Sequence, residues 1–242
     1  MNPFEKFPRT PHLLWLGNDH PRDDKVLSDV ECASFLKHFV IIEEKVDGAN
    51  VGISMDMDGN LRAQNRGTVL ESGKTDLQFE PFWAWLAMLR DSLISVLGNK
   101  YAVFGEWCFA RHSVYYASLP DWFLGFDVLD RQQNAFLDTR GRNSIFQRIG
   151  MDMVPYIAQG VFSRTDVIGL LHKASSMLGA PAPEGLYLRK ESNGKVTSRA
   201  KLVHPEFHIN LGEHWSKRPL EKNRLRTQAN IQGRSAPIPH NP

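Results

Sequence analysis

The sequence predicts an α+β fold that consists mainly of antiparallel sheet with a few flanking helices. Short β-type runs separated by turns dominate the chain, and only two segments are clearly helical. Two β-type runs that are separated by a short turn pair best as an antiparallel hairpin. Asn50–Asp56 and Leu61–Asn65 are predicted to form such a hairpin, with Asp58-Gly59 in the turn. Strands that pair with their neighbours in sequence, together with few helices, are typical of the α+β class.

Three further strands and a second hairpin are predicted from local patterns. The strand candidates are Phe39–Glu44, Tyr101–Trp107 and Phe123–Asp130. The second hairpin joins Gly185–Lys190 to Lys195–Val203 across a Ser-Asn-Gly turn. After residue 205 the periodicity fades, so no element is predicted there.

Two helices and an extended arm complete the predicted elements. Residues 78–97 place apolar side chains at three- and four-residue steps, and Gly98 ends the run. A second helix, Thr165–Leu178, begins at a cluster of Ser, Thr and Asp and is followed by Gly179 and two prolines. Residues 1–38 begin with a proline-rich stretch and are predicted to form an arm that packs on the domain after it.

Length and composition limit the class of protein. A chain of 242 residues can form one domain, or two small ones, with a hydrophobic core of its own. With 42% apolar and 23% charged residues, wholesale disorder, collagen-like chains and coiled-coil rods are excluded. We divide the chain into the arm, a central domain over residues 39–216 and a flexible tail over residues 217–242. No apolar run is long enough to span a bilayer and no secretory leader is expected.

Charge and cysteine content suggest the environment and the partner. The formal net charge is only +2, yet the tail has six Lys or Arg and one acid and therefore a charge of +5. The preceding residues then sum to −3. A basic terminal segment favours an anionic partner. Two cysteines make a disulfide framework unexpected, which favours the cytoplasm.

Residues 43–50, with the sequence EEKVDGAN, have the sharpest chemical signal in the chain. Glu43 and Lys45 share one face of the predicted strand, and Gly48 permits a close approach between backbone and ligand. A lysine here is a nucleophile only when deprotonated, which requires nearby cations, a metal or desolvation. On its own the segment is better explained by a surface strand that ends in an Asp-Gly turn.

Five later segments change this interpretation because they supply complementary groups in a fixed order. They are RAQNRG at 62–67, FGEW at 104–107, FD at 126–127, EGLYLR at 184–189 and RAK at 199–201. Together they offer carboxylates for a ribose and a metal, an aromatic face for a base and cations for phosphates.

This set resembles the covalent nucleotidyltransferases, which include ATP-dependent DNA ligases, RNA ligases and capping enzymes. The segments that match the family's motifs are 45–50, 104–106, 126–127, 184–189 and 199–201. Asn50 stands where DNA ligases and capping enzymes usually have arginine, which looks like the RNA ligases related to phage RNA ligase 2. The flanking segments 10–13, 24–27, 112–116 and 214–215 look like those of bacterial and phage RNA ligases, so the resemblance spans roughly residues 10–215.

The resemblance implies both a fold and a reaction. Residues 39–216 would form the ATP-grasp-like catalytic domain of DNA and RNA ligases. Lys45 would attack the α-phosphate of ATP and carry AMP, which then passes to a 5′-phosphate before a 3′-OH displaces it. ATP and Mg²⁺ or Mn²⁺ are the implied cofactors, and RNA ends are the implied partner. A kinase or phosphatase that prepares those ends is left open as a further partner.

The resemblance also implies roles for charged residues around the nucleophile. Lys201 and Arg199 would bind phosphates and help to keep Lys45 neutral, although lysine is commoner than arginine at position 199. Glu184 would hold the divalent metal, because carboxylates combined with phosphate oxygens suit Mg²⁺.

The remaining implied contacts concern the nucleoside and the RNA end. Glu106 would bind the ribose and Phe126 would stack on adenine, while either Glu43 or Glu44 would face the adenine edge. Further predicted contacts to the nucleotide are Asp47, Gly48, Asn50 and Arg66. Predicted contacts to nucleic acid are Arg62, Arg111, His112, Lys217 and Arg218.

Two alternatives stay open at this point. A ligase that seals DNA nicks or ends would use the same chemistry, and a non-catalytic nucleic-acid-binding module could keep the fold. Intact Lys45, Glu106, Glu184 and Lys201 speak against the second alternative. The residues after Lys201 are too few for the oligonucleotide-binding barrel of DNA ligases. We therefore expect either a minimal catalytic domain, or binding of the substrate through a partner or the basic tail.

Overall fold

The computed structural model describes residues 6–17, 24–73, 76–209 and 219–227. Its strands are β1 (Val40–Lys45), β2 (Ala49–Met55), β3 (Leu61–Gln64), β4 (Tyr101–Trp107), β5 (Phe123–Asp130), β6 (Ala135–Phe136), β7 (Tyr156–Gly160), β8 (Gly185–Ser192) and β9 (Lys195–Val203). They form a four-stranded sheet of order β7-β1-β8-β9 and a five-stranded sheet of order β3-β2-β4-β5-β6. Every pairing within these sheets is antiparallel, so the predicted α+β class is confirmed.

The helices flank the two sheets. They are α1 (Asp29–Leu36), α2 (Glu80–Met88), α3 (Arg90–Leu97), α4 (Thr139–Ile149), α5 (Arg164–Lys173) and the short α6 (Pro205–Ile209), with a 3₁₀ turn at Leu77–Phe79. None of the helices in the described ranges is long and apolar enough to cross a membrane.

Both predicted hairpins form in the expected places. Ile53 pairs with Ala63 across β2 and β3, and Arg189 pairs with Arg199 across β8 and β9. Gly59 has φ +81° in the first turn, a left-handed conformation that glycine adopts at little cost.

The predicted helices differ from the structure at their ends. The helix expected over residues 78–97 is divided at Leu89, which has φ −97° and ψ 4° and separates α2 from α3. Leu86 and Leu93 on either side of the break are both buried, so the apolar spacing continues across it and could not reveal it. The second helix ends at Lys173 rather than at residue 178 because Ala174 is extended.

Three described helices, α1, α4 and the short α6, were not predicted, and for α1 and α4 the end signals are present in the sequence. Ser28 and Glu31 form a capping box at the start of α1. Asp138 caps α4 by accepting a hydrogen bond from the Gly141 N–H at 2.7 Å, and Gly150 ends that helix with φ +86°.

Three apolar clusters hold the layers together. One packs α2, α3 and α4 on the five-stranded sheet and includes Phe82 and Trp107. A second packs α1 and α5 on the four-stranded sheet and includes Ile42 and Val167. The third, around Phe104, lies on the other face of the five-stranded sheet. The helices therefore cover the outer faces, which leaves the inner faces of the sheets for the site.

The N-terminal arm lies along β9. The Lys201 N–H donates to the Pro11 carbonyl at 2.9 Å, and the Leu13 N–H donates to the Lys201 carbonyl at 2.7 Å. The His12 N–H donates to the Lys25 carbonyl at 2.8 Å. These bonds bring both described parts of the arm, including Asp24, to the end of β9.

Residues 219–227, here called the strap, lie on the segment 108–119 that connects β4 and β5. The Arg111 N–H donates to the Glu221 carbonyl at 2.7 Å, and the Arg226 N–H donates to the Leu119 carbonyl at 2.8 Å. This stretch differs from the flexible tail expected after residue 216, because backbone hydrogen bonds and a buried asparagine, Asn223, fix it to the domain. The rest of the expected tail, including Lys217 and Arg218, lies outside the described residues.

Candidate active site

A cavity of about 630 Å³ opens between the two sheets. Predicted site residues found on its wall are Glu43, Glu44, Lys45, Asp47, Gly48, Asn50, Arg66, Glu106, His112, Phe126 and Lys201. Glu184 reaches the same place through an ion pair with Lys45. The structure therefore gathers residues from distant parts of the chain that the sequence motifs predicted to lie together.

Lys45 is the last residue of β1 and pairs with Gly185, the first residue of β8. This register places the Lys45 ammonium against the Glu184 carboxylate, with which it forms an ion pair. Burial lowers the pKa of Lys45, but the carboxylates of Glu184 and Asp47 outweigh that effect, so the pKa is raised. The surroundings of Lys45 in this structure therefore favour its charged form, contrary to the expectation that Lys201 and Arg199 keep it neutral.

Asp47 is anchored to the segment that follows β4. Its carboxylate accepts hydrogen bonds from the backbone N–H groups of Ser113 at 2.6 Å and Val114 at 3.1 Å. Its own N–H donates to the Tyr116 hydroxyl at 2.8 Å. These three bonds fix the turn directly after Lys45, and they explain why residues 112–116 belong to the site.

Glu106 lies on β4 opposite Asn50 of β2, on the wall of the cavity. Burial raises its pKa to about 8, against the lowering influence of the Lys45 and Arg66 charges. Its Oε2 atom is buried and has no hydrogen-bond partner among the described residues. A buried polar atom without a partner is costly, so Glu106 has capacity to bind a polar group of a ligand.

Gly48 allows a close contact between the turn after Lys45 and β4. A Cβ atom at this position would lie 2.8 Å from the Trp107 carbonyl oxygen and 3.1 Å from Cys108 Sγ. Only glycine therefore lets β2 approach β4 at this point.

Glu44 is held from the segment that follows α5. Its Oε1 accepts a hydrogen bond from the Ser176 hydroxyl at 2.5 Å, and its Oε2 accepts one from the Met177 N–H at 3.1 Å. These bonds require residues 174–178 to leave the helical path, which accounts for the early end of α5. Burial raises the pKa of Glu44, and the two hydrogen bonds partly offset the increase.

Glu43 belongs to a buried ionic network that joins the two sheets. Its carboxylate contacts Arg142 Nη2 at 2.6 Å and Arg189 Nη2 at 2.9 Å. Both guanidinium groups also donate to the Phe126 carbonyl, at 2.7 and 2.9 Å. Arg189 contacts Asp127 at 3.0 Å as well. The network fixes the backbone of Phe126, whose ring lies on the cavity wall.

Arg199 does not lie on the cavity wall, although the strand pattern places it on the same face as Lys201. Its Nε donates to Asp127 Oδ2 at 3.2 Å, and its guanidinium lies 4.1 Å from the centre of the Phe136 ring. Asp127 is fully buried and needs positive partners, which explains why this arginine turns away from the predicted phosphate site.

Lys201 forms an ion pair with Asp24 of the arm. The side chains of Lys201 and Asp24 are 14% and 24% exposed, so water screens their attraction only in part. Burial lowers the pKa of Lys201, and the hydrogen bond to Asp24 opposes this decrease. Asp24 itself lies on the cavity wall, so the arm contributes a carboxylate to the site.

The remaining predicted contacts are divided between the cavity and the surface. His112 is on the wall and its Nε2 lies 3.2 Å from Gln78 Oε1. Arg111 is outside the cavity and pairs with Glu221 of the strap at 2.9 Å. Arg62 lies on β3 and is also outside the wall.

Asp24 on the cavity wall and Arg142 in the buried ionic network are residues that the sequence did not assign to the site. Asp24 lies in the flanking segment 24–27, which resembles RNA ligases, so a signal for it was present. Arg142 had none, because an arginine in a segment without an assigned helix looks like any exposed cation until the fold buries it.

Comparison with known proteins identifies the family. The family model described as RNA ligase matches residues 38–203, which is more than half of the chain, so this protein belongs to the RNA ligase family. No curated protein matches the chain.

Solved structures of the RNA ligase from Naegleria gruberi have the same fold. One variant solved with ATP and Mn has a TM-score of 0.58 and 14% identity, covering 86% of this chain and 62% of that one. Another variant, in the apo form, has a TM-score of 0.58 and 14% identity, with coverages of 75% and 54%. The chain thus spans little more than half the length of these ligases, and the low identity limits the likeness to the fold.

Proposed function

We propose that this protein is an ATP-dependent RNA ligase that carries AMP on Lys45. The observation that carries the proposal is the position of Lys45 on the wall of a cavity of nucleotide size. Around it are the carboxylates of Asp47, Glu106 and Glu184 and the cation of Lys201. Membership of the RNA ligase family and the likeness to a ligase solved with ATP and Mn support the same chemistry.

The nucleoside would lie between Phe126 and the two glutamates of β1. Each Glu44 oxygen accepts one hydrogen bond and keeps a free lone pair for the adenine amino group. The Glu43 carboxylate is already occupied by two guanidinium groups, which favours Glu44 for this role. Glu106, with its unpaired Oε2, would bind a ribose hydroxyl.

A divalent cation fits beside Glu184. No group of three or more His, Cys, Asp or Glu is arranged to hold a metal within the described ranges. Mg²⁺ needs no such cage, because it is bound through one or two carboxylates, substrate phosphates and retained waters. Bound there, the cation would supply positive charge to the phosphates and replace Lys45 as the partner of Glu184. The opposing influences on Lys45 would then favour its neutral, nucleophilic form.

The chemistry takes three steps. Deprotonated Lys45 Nζ attacks the α-phosphorus of ATP, the bond to the β-phosphate breaks and pyrophosphate leaves. An oxygen of the RNA 5′-phosphate then attacks the same phosphorus, which breaks the P–N bond and frees Lys45. Finally the 3′-OH attacks the activated 5′-phosphate and AMP leaves. The transition states are anionic, and Lys201 and Arg66 on the wall would stabilise the developing charge.

Two features of the cellular setting follow from this proposal. Ends that lack a 5′-phosphate or a 3′-OH would need a kinase or phosphatase as a partner. The buried, unpaired Cys32 and Cys108 are compatible with action in a reducing cytoplasm.

Incubation with ATP labelled at the α-phosphate and Mg²⁺ or Mn²⁺ tests the proposal. We expect an acid-labile label on the denatured protein and joining of RNA ends in a gel assay. If the protein joined nicked DNA better than RNA, its substrate would be DNA, as in the alternative of a DNA ligase. Absence of label with either metal, after any pre-bound AMP has been discharged with pyrophosphate, would refute the proposal.

Asp24→Asn is expected to move the alkaline limb of self-adenylylation to lower pH. The protonated form of Lys201 exists below its pKa, and loss of the Asp24 charge removes an influence that raises that pKa. At a pH on that limb and at saturating ATP, we expect a lower rate than in the wild type, because a smaller fraction of Lys201 is protonated. The measurement is the rate of label incorporation against pH.

Asp29→Asn is the matched control for this prediction. Asp29 is a highly exposed aspartate that pairs with Arg164 on the surface, so its replacement should leave the profile unchanged. If the Asp24 variant has the wild-type profile, the arm does not act on Lys201.

A further inference from the structure

The strap is joined to the domain by two isolated β-bridges, at Lys222 and Leu225, and is anchored by one buried side chain. Asn223 Nδ2 donates to the carbonyls of Cys108 at 2.8 Å and Ala110 at 3.2 Å, and its Oδ1 accepts from the Tyr116 N–H at 2.9 Å. The residue is only 3% exposed. Its amide therefore fixes which face of the strap points into the protein.

Three cations of the strap, Lys222, Arg224 and Arg226, lie close to Asn223 in sequence. All three are exposed, whereas Asn223 is buried. These three side chains are called the row below.

The charge of this row is balanced only in part. Among the described residues, no carboxylate lies within ion-pair distance of Lys222, Arg224 or Arg226. Arg226 acts on Asp152 only at longer range, and the Lys222 ammonium lies 5.1 Å from the centre of the Phe109 ring. The neighbouring Glu221 carboxylate is taken by Arg111. The row therefore presents positive charge to an anionic partner.

The row leads to the rim of the candidate active site. Lys222 pairs with Ala110, two residues before His112 on the cavity wall. A second groove is lined in part by Ser113 and by Glu221 of the strap, and its wall also includes Tyr115 and the Glu206 carboxylate. The Ser113 N–H also donates to Asp47, which joins this groove to the wall of the main cavity.

We propose that Lys222, Arg224 and Arg226 form a track for the backbone of a single RNA strand whose end enters the cavity. Cations beside an aromatic side chain, here Lys222 beside Phe109, are features that bind single-stranded nucleic acid without reading its sequence. The buried Asn223 amide holds the row in place before RNA binds. The track rests on the proposed function and specifies how that site would hold its substrate.

The test is the salt dependence of RNA binding by the triple variant Lys222→Gln, Arg224→Gln, Arg226→Gln. Affinity for a 5′-phosphorylated single-stranded RNA is measured by fluorescence anisotropy over a range of KCl concentrations. Each lost phosphate contact should reduce the slope of log K against log salt by about 0.7, so we expect a decrease of about 2. The KM for RNA in the sealing reaction should rise, while kcat and self-adenylylation should stay at wild-type values.

A matched variant removes three exposed cations elsewhere, Lys37→Gln, Arg148→Gln and Lys173→Gln, none of which lines either cavity. It should keep the wild-type slope. Equal salt slopes for the strap variant and the wild type would overturn the track. The proposed function would still stand in that case if the wild-type protein adenylylates itself. Absence of self-adenylylation in the wild-type protein would instead refute the proposed function.

Discussion

Replacing Lys45 with alanine is expected to abolish self-adenylylation while the protein still seals ends that already carry AMP. Lys45 is the only lysine at the end of β1, and Glu184 holds its ammonium on the cavity wall. Removal of a covalent nucleophile typically costs about three orders of magnitude or more in rate. Sealing of pre-adenylylated RNA needs no transfer through Lys45, so it bypasses the loss. The measurement compares label incorporation from ATP with joining of pre-adenylylated RNA.

Lys37→Ala provides the control, because Lys37 is an exposed lysine at the end of α1. It should leave both reactions unchanged. Retention of ATP labelling in the Lys45 variant would mean that another group is the nucleophile. Loss of both reactions in a folded Lys45 variant would point to a role for Lys45 beyond carrying AMP.

Replacing Arg142 with alanine is expected to produce a large loss of stability. The Arg142 and Glu43 side chains are each 2% exposed and form a double hydrogen bond, at 2.6 and 3.1 Å. Removing one partner of a buried ion pair typically lowers the free energy of unfolding by about 3–5 kcal/mol, because the other charge loses its compensation. Arg189 still contacts Glu43, which favours the lower end of that range. Urea-induced unfolding measures the change.

Arg148 on the same helix is the matched control for Arg142. It is exposed, and its replacement with alanine should change the free energy of unfolding by no more than about 0.5 kcal/mol. An Arg142 variant as stable as the Arg148 variant would show that the network contributes little to the fold. If it folds at low temperature, we expect weaker ATP binding, because the Phe126 carbonyl loses one of its two guanidinium donors.

The sequence predicted which residues meet in the cavity better than it predicted the ion pairs that they form. The resemblance of the motifs to those of nucleotidyltransferases implied that Lys45, Glu106 and Lys201 would share one site, and the structure places all three on one cavity wall. The same resemblance also placed Arg199 at this site. Its position is instead set by Asp127, a buried carboxylate from a distant strand, and local patterns hold no information about that long-range demand.

The elements that were missed separate into two kinds. The start of α1 was marked in the sequence by the Ser28 and Glu31 capping box, so that helix was predictable from local rules. The strap was not, because no periodicity marks residues 219–227. Its position depends on Asn223, whose amide finds three partners only after the segment 108–119 has folded.

The most direct test of the account is to locate the adenylyl group by mass spectrometry after incubation with ATP and Mg²⁺. We predict one adenylyl group per chain, bound as an acid-labile phosphoramidate on the peptide that contains Lys45, and discharged when 5′-phosphorylated RNA is added. An adenylyl group on a different residue, or none on a protein first freed of AMP, would contradict it.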